Sequence, residues 1–329
     1  MNMPSRIAKQ IYKEIQDANN ILLVPHQNPD GDAHGSVSCF SHYFKSINKP
    51  HSVYCFTEST AKLNSLPHLV DVSTDNSVWS DDSYDLILVL DSGDLKYAGI
   101  DKFIKKIEHE PVIINIDHHP TNTYYGDINL VIDKASSTAE IVYGFLKYNN
   151  ITIDKNMAAS LLTGLITDTE NFTNPGTTQN SLRVASELIK KGANFNTIKT
   201  WFLRDKTFAS LKLWGIVFSR LEKHPVHEIV YTYITKKDLI DNEADESEAE
   251  GIANFMNNLG DGKAGLILKE KEDGIIKGSF RTTRDDFDVS AIAKALGGGG
   301  HKKASGFSVE ANSMNEAFDI IWKVVESLK

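Results

Sequence analysis

The sequence is poor in cysteine, in long apolar runs and in positive charge. Its 329 residues include only two cysteines, Cys39 and Cys55, which are too few for a disulfide framework. No stretch has the length of a membrane span, and the first residues lack the apolar core of a signal peptide. With 35 Lys and Arg against 44 Asp and Glu, the net charge is -9. This balance disfavours a long nucleic-acid footprint, which needs a basic face. We therefore expect a reduced, cytoplasmic protein with no membrane partner.

Aspartate and histidine, by contrast, are concentrated where buried strands are expected to end. Three apolar runs are typical of buried strands: Ile21–Val24, Asp85–Leu90 and Pro111–Ile116. Each is followed by candidate ligands, and a fourth group follows the apolar helix predicted over 156–166; these candidates are His26, Asp30, Asp32, Asp91, Asp117, His118, His119 and Asp168. A single Asp at a strand end is commonly a helix cap. Four such groups at one sheet edge indicate a metal site instead.

The order of the predicted elements indicates an α/β protein with two domains. We expect a mostly parallel sheet flanked by helices in residues 1–200, a helical linker packed on both domains in 201–226, and a smaller α/β domain in 227–329. In the smaller domain, the predicted strands are Glu228–Ile234, Ala264–Lys269 and Gly274–Phe280, and the predicted helices cover about 246–258, 288–296 and 314–328.

The types of donor atom favour two divalent cations. Four of the candidate Asp and two of the candidate His, without a cysteine thiolate, suit borderline-hard metals, with the central Asp91 as the carboxylate that bridges them. Two metals about 3.5–4 Å apart activate a water for in-line attack on phosphorus. Metal ions also make a site locally positive, so the negative charge of the chain does not exclude a small anionic substrate.

The motifs resemble those of the DHH phosphoesterase family. Asp117-His118-His119 follows a strand, with His26-Gln-Asn-Pro-Asp30-Gly-Asp32 upstream, and Leu90-Asp91-Ser-Gly-Asp94 and Gly164-Leu-Ile-Thr-Asp168-Thr resemble two further motifs. The run from Gly297 to Gly306 is similar to the glycine-rich signature of the DHH-associated type 1 domain, although Ser305 stands where the family more usually has alanine. The chain is most similar to stand-alone bacterial enzymes that degrade very short RNA and remove the 3′-phosphate of phosphoadenosine phosphate.

This resemblance implies a role for each candidate residue. His26, Asp30 and Asp91 would hold one metal ion, and Asp32, Asp91, His118 and Asp168 would hold the other. Ligand type and family habit favour manganese, while magnesium, cobalt and zinc stay open. His119 would meet the phosphate or protonate the leaving oxygen, and Asp117 would orient the histidine pair. In the cleft between the two domains, the substrate would be bound by Arg281, Gly298, Gly299, Gly300 and His301.

The preferred substrate stays open at this point. Short oligoribonucleotides, phosphoadenosine phosphate and cyclic dinucleotides all present a phosphate and one or two bases. The alternatives are therefore a cyclic-dinucleotide phosphodiesterase and, from another class, a nucleotide-binding protein without catalysis, which the complete ligand set disfavours. For the glycine run the alternative is a flexible turn, and for Arg281 it is a surface charge. The sequence leaves both a monomer and a homodimer open.

Overall fold

The computed structural model describes residues 3–80, 83–107, 109–203 and 206–328, and these form two compact units. The first unit spans Met1–Arg204 and the second spans Asp205–Lys329. The boundary between the units falls inside the segment 201–226, so most of that segment belongs to the second unit. Within the described ranges, no helix is both long enough and apolar enough to cross a membrane.

The first unit is built on a five-stranded parallel sheet. Its strands are β1 (Ile21–Pro25), β2 (His51–Val53), β3 (Leu86–Leu90), β4 (Val112–Asp117) and β5 (Ile128–Val131). They lie in the order β2-β1-β3-β4-β5, and each neighbouring pair is parallel. The helices are α1 (Ser5–Asp17), α2 (Gly31–Ser46), α3 (Ala61–Asn64), α4 (Asp101–Ile104), α5 (Thr138–Tyr148), α6 (Lys155–Asp168), α7 (Gln179–Lys190) and α8 (Phe195–Leu203), with a 3₁₀ turn at Asn76–Ser80.

Both faces of this sheet are buried, which explains the unbroken apolar runs of its central strands. In β1, Ile21 and Leu23 belong to the core on one face, together with side chains from α1, α2, α5, α6 and α7. Leu22 and Val24 belong to a second core on the other face, where Tyr54 is fully buried. The expected parallel sheet flanked by helices is confirmed.

Helices α2 and α6 approach each other closely because glycines lie at their contact. A Cβ on Gly35 would lie 2.4 Å from the carbonyl oxygen of Ser160, and one on Gly164 would lie 2.6 Å from Oδ1 of Asp32. Neither position therefore has room for a side chain. The close contact places Asp32, in the first turn of α2, against the helix that ends at Asp168.

The second unit contains a mixed six-stranded sheet. Its strands are β6 (Glu222–Lys223), β7 (Ile229–Ile234), β8 (Ala264–Glu270), β9 (Ile275–Arg281), β10 (Gly299–His301) and β11 (Ala304–Glu310). They lie in the order β10-β11-β9-β8-β7-β6, with β7 and β8 parallel and the other pairs antiparallel. The helices are α9 (Phe208–Ser219), α10 (Lys236–Asp241), α11 (Ile252–Phe255), α12 (Val289–Ala295) and α13 (Met314–Ser327), with 3₁₀ turns at Glu246–Ala249, Met256–Asn258 and Glu272–Gly274.

This second sheet is also covered on both faces. In β8, Leu266 and Leu268 pack in a core with α12 and α13. Ile267, which points to the other face, belongs to a core with Leu213 and Val217 of α9. The expected smaller α/β domain is confirmed, and α9 is part of its core.

Some local expectations are wrong. The segment 246–258 is not one helix, because it forms a 3₁₀ turn, α11 and another 3₁₀ turn. Gly251, directly before α11, lies in the left-handed region at a φ of 88°. The stretch His51–Phe56 is also typical of a strand in the sequence, but in the structure β2 ends at Val53. Strands β5, β6, β10 and β11 were not expected, and β6 lies in the segment 201–226 that was expected to be helical. Two of the three residues of β10 are glycines, which are rare in strands.

Candidate metal centre

The predicted metal ligands and the two predicted catalytic residues, Asp117 and His119, lie together at the carboxyl-terminal edge of the parallel sheet. His26 directly follows β1, Asp91 directly follows β3, and Asp117 is the last residue of β4. The others lie just after β4 or at helix ends: His118, His119, Asp30 at the N-cap of α2, Asp32 in its first turn, and Asp168 at the end of α6. This edge is where open parallel sheets bind their ligands.

Three overlapping groups of side chains among the described residues could each hold a metal ion. In every group, the candidate ligand atoms lie within 4.8 Å of one another. The groups are His26, Asp30 and Asp91; Asp91, His118 and His119; and Asp32, His118 and Asp168. Because Asp91 and His118 each occur in two groups, the site has a shared centre rather than separate pockets.

His26 presents one ring nitrogen to the acidic cluster. Its Nδ1 lies 2.7 Å from the carbonyl oxygen of Gln27, which can only accept, so Nδ1 carries the proton. Its Nε2 lies 3.8 Å from Oδ1 of Asp30 and 3.7 Å from Oδ2 of Asp91. The ring also stacks on Tyr97, with 4.9 Å between the ring centroids. Such a backbone bond on one nitrogen is the usual way to fix the other as a metal ligand.

His118 has the same arrangement on the opposite side of Asp91. Its Nδ1 lies 3.4 Å from the carbonyl oxygen of Ala135. Its Nε2 lies 3.2 Å from Oδ2 of Asp168 and 3.7 Å from Oδ1 of Asp91. The two histidines thus face different oxygens of one carboxylate, which is the geometry that a bridging ligand requires.

The backbone of Asp91 adopts an unusual conformation. Its φ of 62° lies in the left-handed region, which side chains other than glycine rarely adopt. Its N–H donates to the carbonyl oxygen of Ile116 at 3.0 Å, so the neighbouring strand holds this turn. The side chain is 2% exposed. A strained, buried carboxylate at a strand end is typical of a functional position.

The carboxylates of the cluster repel one another. Burial and the charges of Asp91 and Asp30 raise the pKa of Asp168 to about 8. Burial and the neighbouring carboxylates likewise raise the pKa of Asp32 and of Asp91. Burying several carboxylates so close together is unfavourable unless a cation compensates their charge. The oxygen and imidazole donors, with no thiolate among them, fit hard or borderline divalent cations.

His119 is oriented by a buried aspartate. Its Nδ1 lies 2.7 Å from Oδ1 of Asp117, and the amide of Asn122 donates to Oδ2 of that carboxylate at 2.6 Å. Asp117 is fully buried, whereas the His119 side chain is 40% exposed. The hydrogen bond that Nδ1 donates to Asp117 raises the pKa of His119 to about 9. Nε2 therefore takes no part in the hydrogen bond between Nδ1 and Asp117, and the ring carries a proton at neutral pH.

Two residues of the site were missed by the sequence analysis. Asn122 fixes Asp117, and Thr138 contacts both Asp32 and Asp91 from the first turn of α5. A signal for the second was present, since Ser137-Thr-Ala-Glu140 matches the Ser-x-x-Glu pattern of a helix start. That pattern predicts the helix start, which the structure has, but not its contact with the carboxylates.

The candidate substrate-binding residues lie in the second unit. Arg281 is paired with Ala304, and Ala304 with His301, so Arg281 and His301 lie in one row across β9, β11 and β10. Residues paired directly across antiparallel strands share a face of the sheet. The Arg281 side chain donates from Nε to Oδ1 of Asn254 at 3.0 Å.

Three of the four glycines from Gly297 to Gly300 lie where the backbone conformation or the packing favours glycine. Gly297 ends α12 with a φ of 77°. A Cβ on Gly298 would lie 2.1 Å from the carbonyl oxygen of Gly306, and one on Gly300 would be similarly crowded by β11. A Cβ on Gly299, by contrast, would have no atom within 4 Å. Gly298 and Gly300 are therefore required by the packing of this segment against β11, and Gly299–His301 form strand β10 rather than a flexible turn.

Two protein families match the two units. Residues 20–165 match the N-terminal domain of the DHH family, and residues 227–327 match the DHHA1 domain. The chain is similar in structure to an exopolyphosphatase-related protein from Bacteroides fragilis, with a TM-score of 0.87 and 24% identity over 99% of this chain and 97% of that one. That likeness shows the fold.

Named relatives match the chain over most of its length. The bifunctional oligoribonuclease and PAP phosphatase NrnA of Thermus thermophilus is 26% identical over 321 residues, or 97% of this chain and 93% of that protein. The cyclic-di-AMP phosphodiesterase GdpP of Bacillus subtilis is 25% identical over 339 residues, or 96% of this chain but 49% of that protein. With both domains matched in order and the histidine-aspartate cluster assembled at the sheet edge, the chain carries a DHH-family domain followed by a DHHA1 domain, and DHH-family phosphoesterases are metal-dependent hydrolases of phosphate esters.

Proposed function

We propose that this chain is a two-metal hydrolase that cleaves short oligoribonucleotides to mononucleotides and removes the 3′-phosphate of phosphoadenosine phosphate. The single observation that carries the proposal is the shared position of Asp91. Its two oxygens face His26 and His118 separately, at 3.7 Å each. This arrangement suits two adjacent cations, and paired cations are the usual catalysts of water attack on phosphate esters.

The donor set divides between two ions. His26, Asp30 and Asp91 would hold one, and Asp32, Asp91, His118 and Asp168 would hold the other. We assign manganese to both positions, since mixed carboxylate and imidazole donors suit it. Bound there, the pair would lower the pKa of a shared water and offset the charge that develops on the phosphoryl oxygens.

His119 is the residue of this site that is placed to act on the substrate. Asp117 accepts from Nδ1, which leaves Nε2 of a partly exposed ring available to the phosphate or to the leaving oxygen. A protonated Nε2 can donate its proton to that oxygen as the ester bond breaks. Asp117 keeps the ring in the required tautomer and is in turn held by Asn122.

The second unit is assigned the binding of the nucleotide. Arg281 and His301 lie on one face of its sheet, and a guanidinium can bind a phosphate through two parallel hydrogen bonds. Of the three candidate glycines Gly298, Gly299 and Gly300, only Gly299 has open space beside it, so we assign close approach of a phosphate to its backbone. Gly298 and Gly300 would contribute to binding indirectly, by allowing the close packing against β11 that sets the backbone shape around Gly299.

The net charge and the named relatives favour small substrates in the cytoplasm. A charge of -9 is unfavourable for a long polyanion. The NrnA relative spans nearly the same length as this chain and is named for short RNA and PAP, whereas the chain covers only half of the cyclic-di-AMP phosphodiesterase. A cyclic-dinucleotide phosphodiesterase is therefore the second candidate. The free, buried Cys39 and Cys55 accord with a reducing compartment.

The test is a substrate panel with manganese supplied. The purified chain would be assayed on an RNA dinucleotide, phosphoadenosine phosphate, cyclic di-AMP and a 24-nucleotide RNA, with Asp91→Asn as the inactive control. We expect the dinucleotide and phosphoadenosine phosphate to be hydrolysed with the highest kcat/KM, and the long strand at least about tenfold more slowly. A preference for cyclic di-AMP would establish the second candidate, and no hydrolysis of any member would refute both.

A further inference from the structure

The first turn of α5 contacts carboxylates from both proposed metal positions. The backbone N–H of Thr138 donates to Oδ2 of Asp32 at 2.6 Å, and that of Ala139 donates to Oδ1 at 2.8 Å. The hydroxyl of Thr138 donates to Oδ1 of Asp91 at 2.7 Å. Thr138, Asp32 and Asp91 are all buried. One residue therefore reaches two carboxylates that stand 59 residues apart in the chain, between positions 32 and 91.

We propose that Thr138 is a positioning residue that sets the rotation of the Asp91 carboxylate, so that this group can bridge two metal ions. The proposal rests on the two-metal function proposed above. Without the hydroxyl, the carboxylate could rotate about its Cβ–Cγ bond. With it, Oδ1 stays on the side of His118 and Oδ2 on the side of His26.

The surroundings of Asp91 explain why such a hydrogen bond is needed. The backbone of Asp91 is fixed by its left-handed turn and by the bond from its N–H to Ile116. That bond fixes the position of Cα but not the plane of the carboxylate. His26 and His118 lie 3.7 Å away, which is too far for a hydrogen bond that would fix the plane. The Thr138 hydroxyl, at 2.7 Å, is within that range.

The carboxylate of Asp32 is also oriented by the start of α5, but through backbone hydrogen bonds. Both of its oxygens accept backbone N–H groups at the start of α5, where the unpaired amides favour a negative charge. A single helix end thus orients one carboxylate through its backbone and the other through the Thr138 side chain. Substituting Thr138 changes only the second contact, because the backbone N–H remains.

The experiment compares three variants by manganese binding and electron paramagnetic resonance. Thr138→Val removes the hydroxyl and keeps the branched shape, Thr138→Ser keeps the hydroxyl, and Thr232→Val is the matched control. Thr232 is also fully buried, but its hydroxyl donates to the backbone of Val217 in the second unit. If Thr138→Val folds poorly, Thr138→Ala removes the hydroxyl without the added methyl group and takes its place.

We expect the wild-type protein, Thr138→Ser and Thr232→Val to bind two manganese ions with an exchange-coupled spectrum. Thr138→Val should bind at least one ion about ten- to a hundredfold more weakly and show the six-line spectrum of isolated manganese. A folded Thr138→Val or Thr138→Ala with wild-type affinities and coupling would overturn the proposal, as would an equal loss in Thr138→Ser. If the wild-type protein itself bound only one ion, the two-metal function would fail instead, whatever the variants did.

Discussion

Replacing Asp168 by asparagine should stabilise the metal-free protein while weakening its response to manganese. The pKa of Asp168 is raised from 3.8 to about 8 by burial and by the charges of Asp91 and Asp30. A raised pKa means that the folded state favours the protonated carboxyl, so stability is lost as the pH rises from about 4 towards 8. Asparagine stays neutral throughout and avoids that loss.

The size of the effect follows from the shift. About four pKa units at 1.36 kcal/mol each give an upper limit of about 5–6 kcal/mol at pH 8. The neighbouring carboxyls raise one another's pKa values, and the substitution removes only one of these groups. We therefore expect a gain of about 2 kcal/mol in the free energy of unfolding. For a unit of about 200 residues this corresponds to a rise in Tm of roughly 4–8 °C. At pH 5, about one unit above the unfolded-state pKa of 3.8, the difference should shrink to about a third, because most of the loss accumulates between pH 5 and pH 8.

Thermal unfolding in EDTA and in excess manganese, at pH 5 and pH 8, measures both parts. Manganese should raise the Tm of the wild-type protein much more than that of Asp168→Asn, because the variant has lost a ligand. Asp133→Asn is the matched control, since Asp133 is exposed and lies outside the cluster in the same unit. A metal-free Asp168→Asn protein that melts below wild type at pH 8, or gains as much from manganese, would refute this reasoning.

Three further predictions concern separate parts of the molecule. Gly35→Ala places a Cβ 2.4 Å from the carbonyl oxygen of Ser160 and should lower the free energy of unfolding by about 1–3 kcal/mol, measured by denaturant titration; an unchanged midpoint would contradict the close helix contact. Although burial opposes it, the Arg220 guanidinium, at 2.6 and 2.7 Å, lowers the pKa of Asp238 to about 2, so its contribution of about 2 kcal/mol should be complete above pH 4 and disappear towards pH 2. Asp238→Asn should flatten that pH dependence in unfolding of the second unit, and an unchanged slope would count against it. His119→Gln should lower kcat about a hundredfold or more with manganese content unchanged, and metal loss would instead make His119 a ligand.

The parallel sheet and the ligand cluster could be predicted because both depend on short stretches of sequence. Strands buried on both faces appear as unbroken apolar runs, as in Ile21–Val24, and carboxylates directly after such runs must lie at one edge of the sheet. The same reasoning identifies the residues gathered around Asp91, although it cannot give the rotation of that carboxylate. Side-chain orientation depends on a contact with Thr138, which comes from a distant helix.

Contacts made by the backbone were the hardest features to predict. Gly298 and Gly300 suggested a phosphate-binding loop, yet each lies where β11 leaves no space for a Cβ. Strand β10 was missed because Gly299 and Gly300 carry no side chain whose pattern could indicate a strand. In Ser305, the residue that departs from the family pattern, the hydroxyl donates to the carbonyl oxygen of Val289 at 2.8 Å, which a sequence motif alone cannot reveal.

Crystals of the chain soaked in manganese, with anomalous scattering recorded at the manganese edge, would test the central claim most directly. We predict two peaks about 3.5–4 Å apart with Asp91 ligating both. One should be completed by His26 and Asp30, and the other by the remaining ligands Asp32, His118 and Asp168. A single peak, or two peaks that do not share Asp91, would contradict the two-metal site on which the proposed hydrolysis depends.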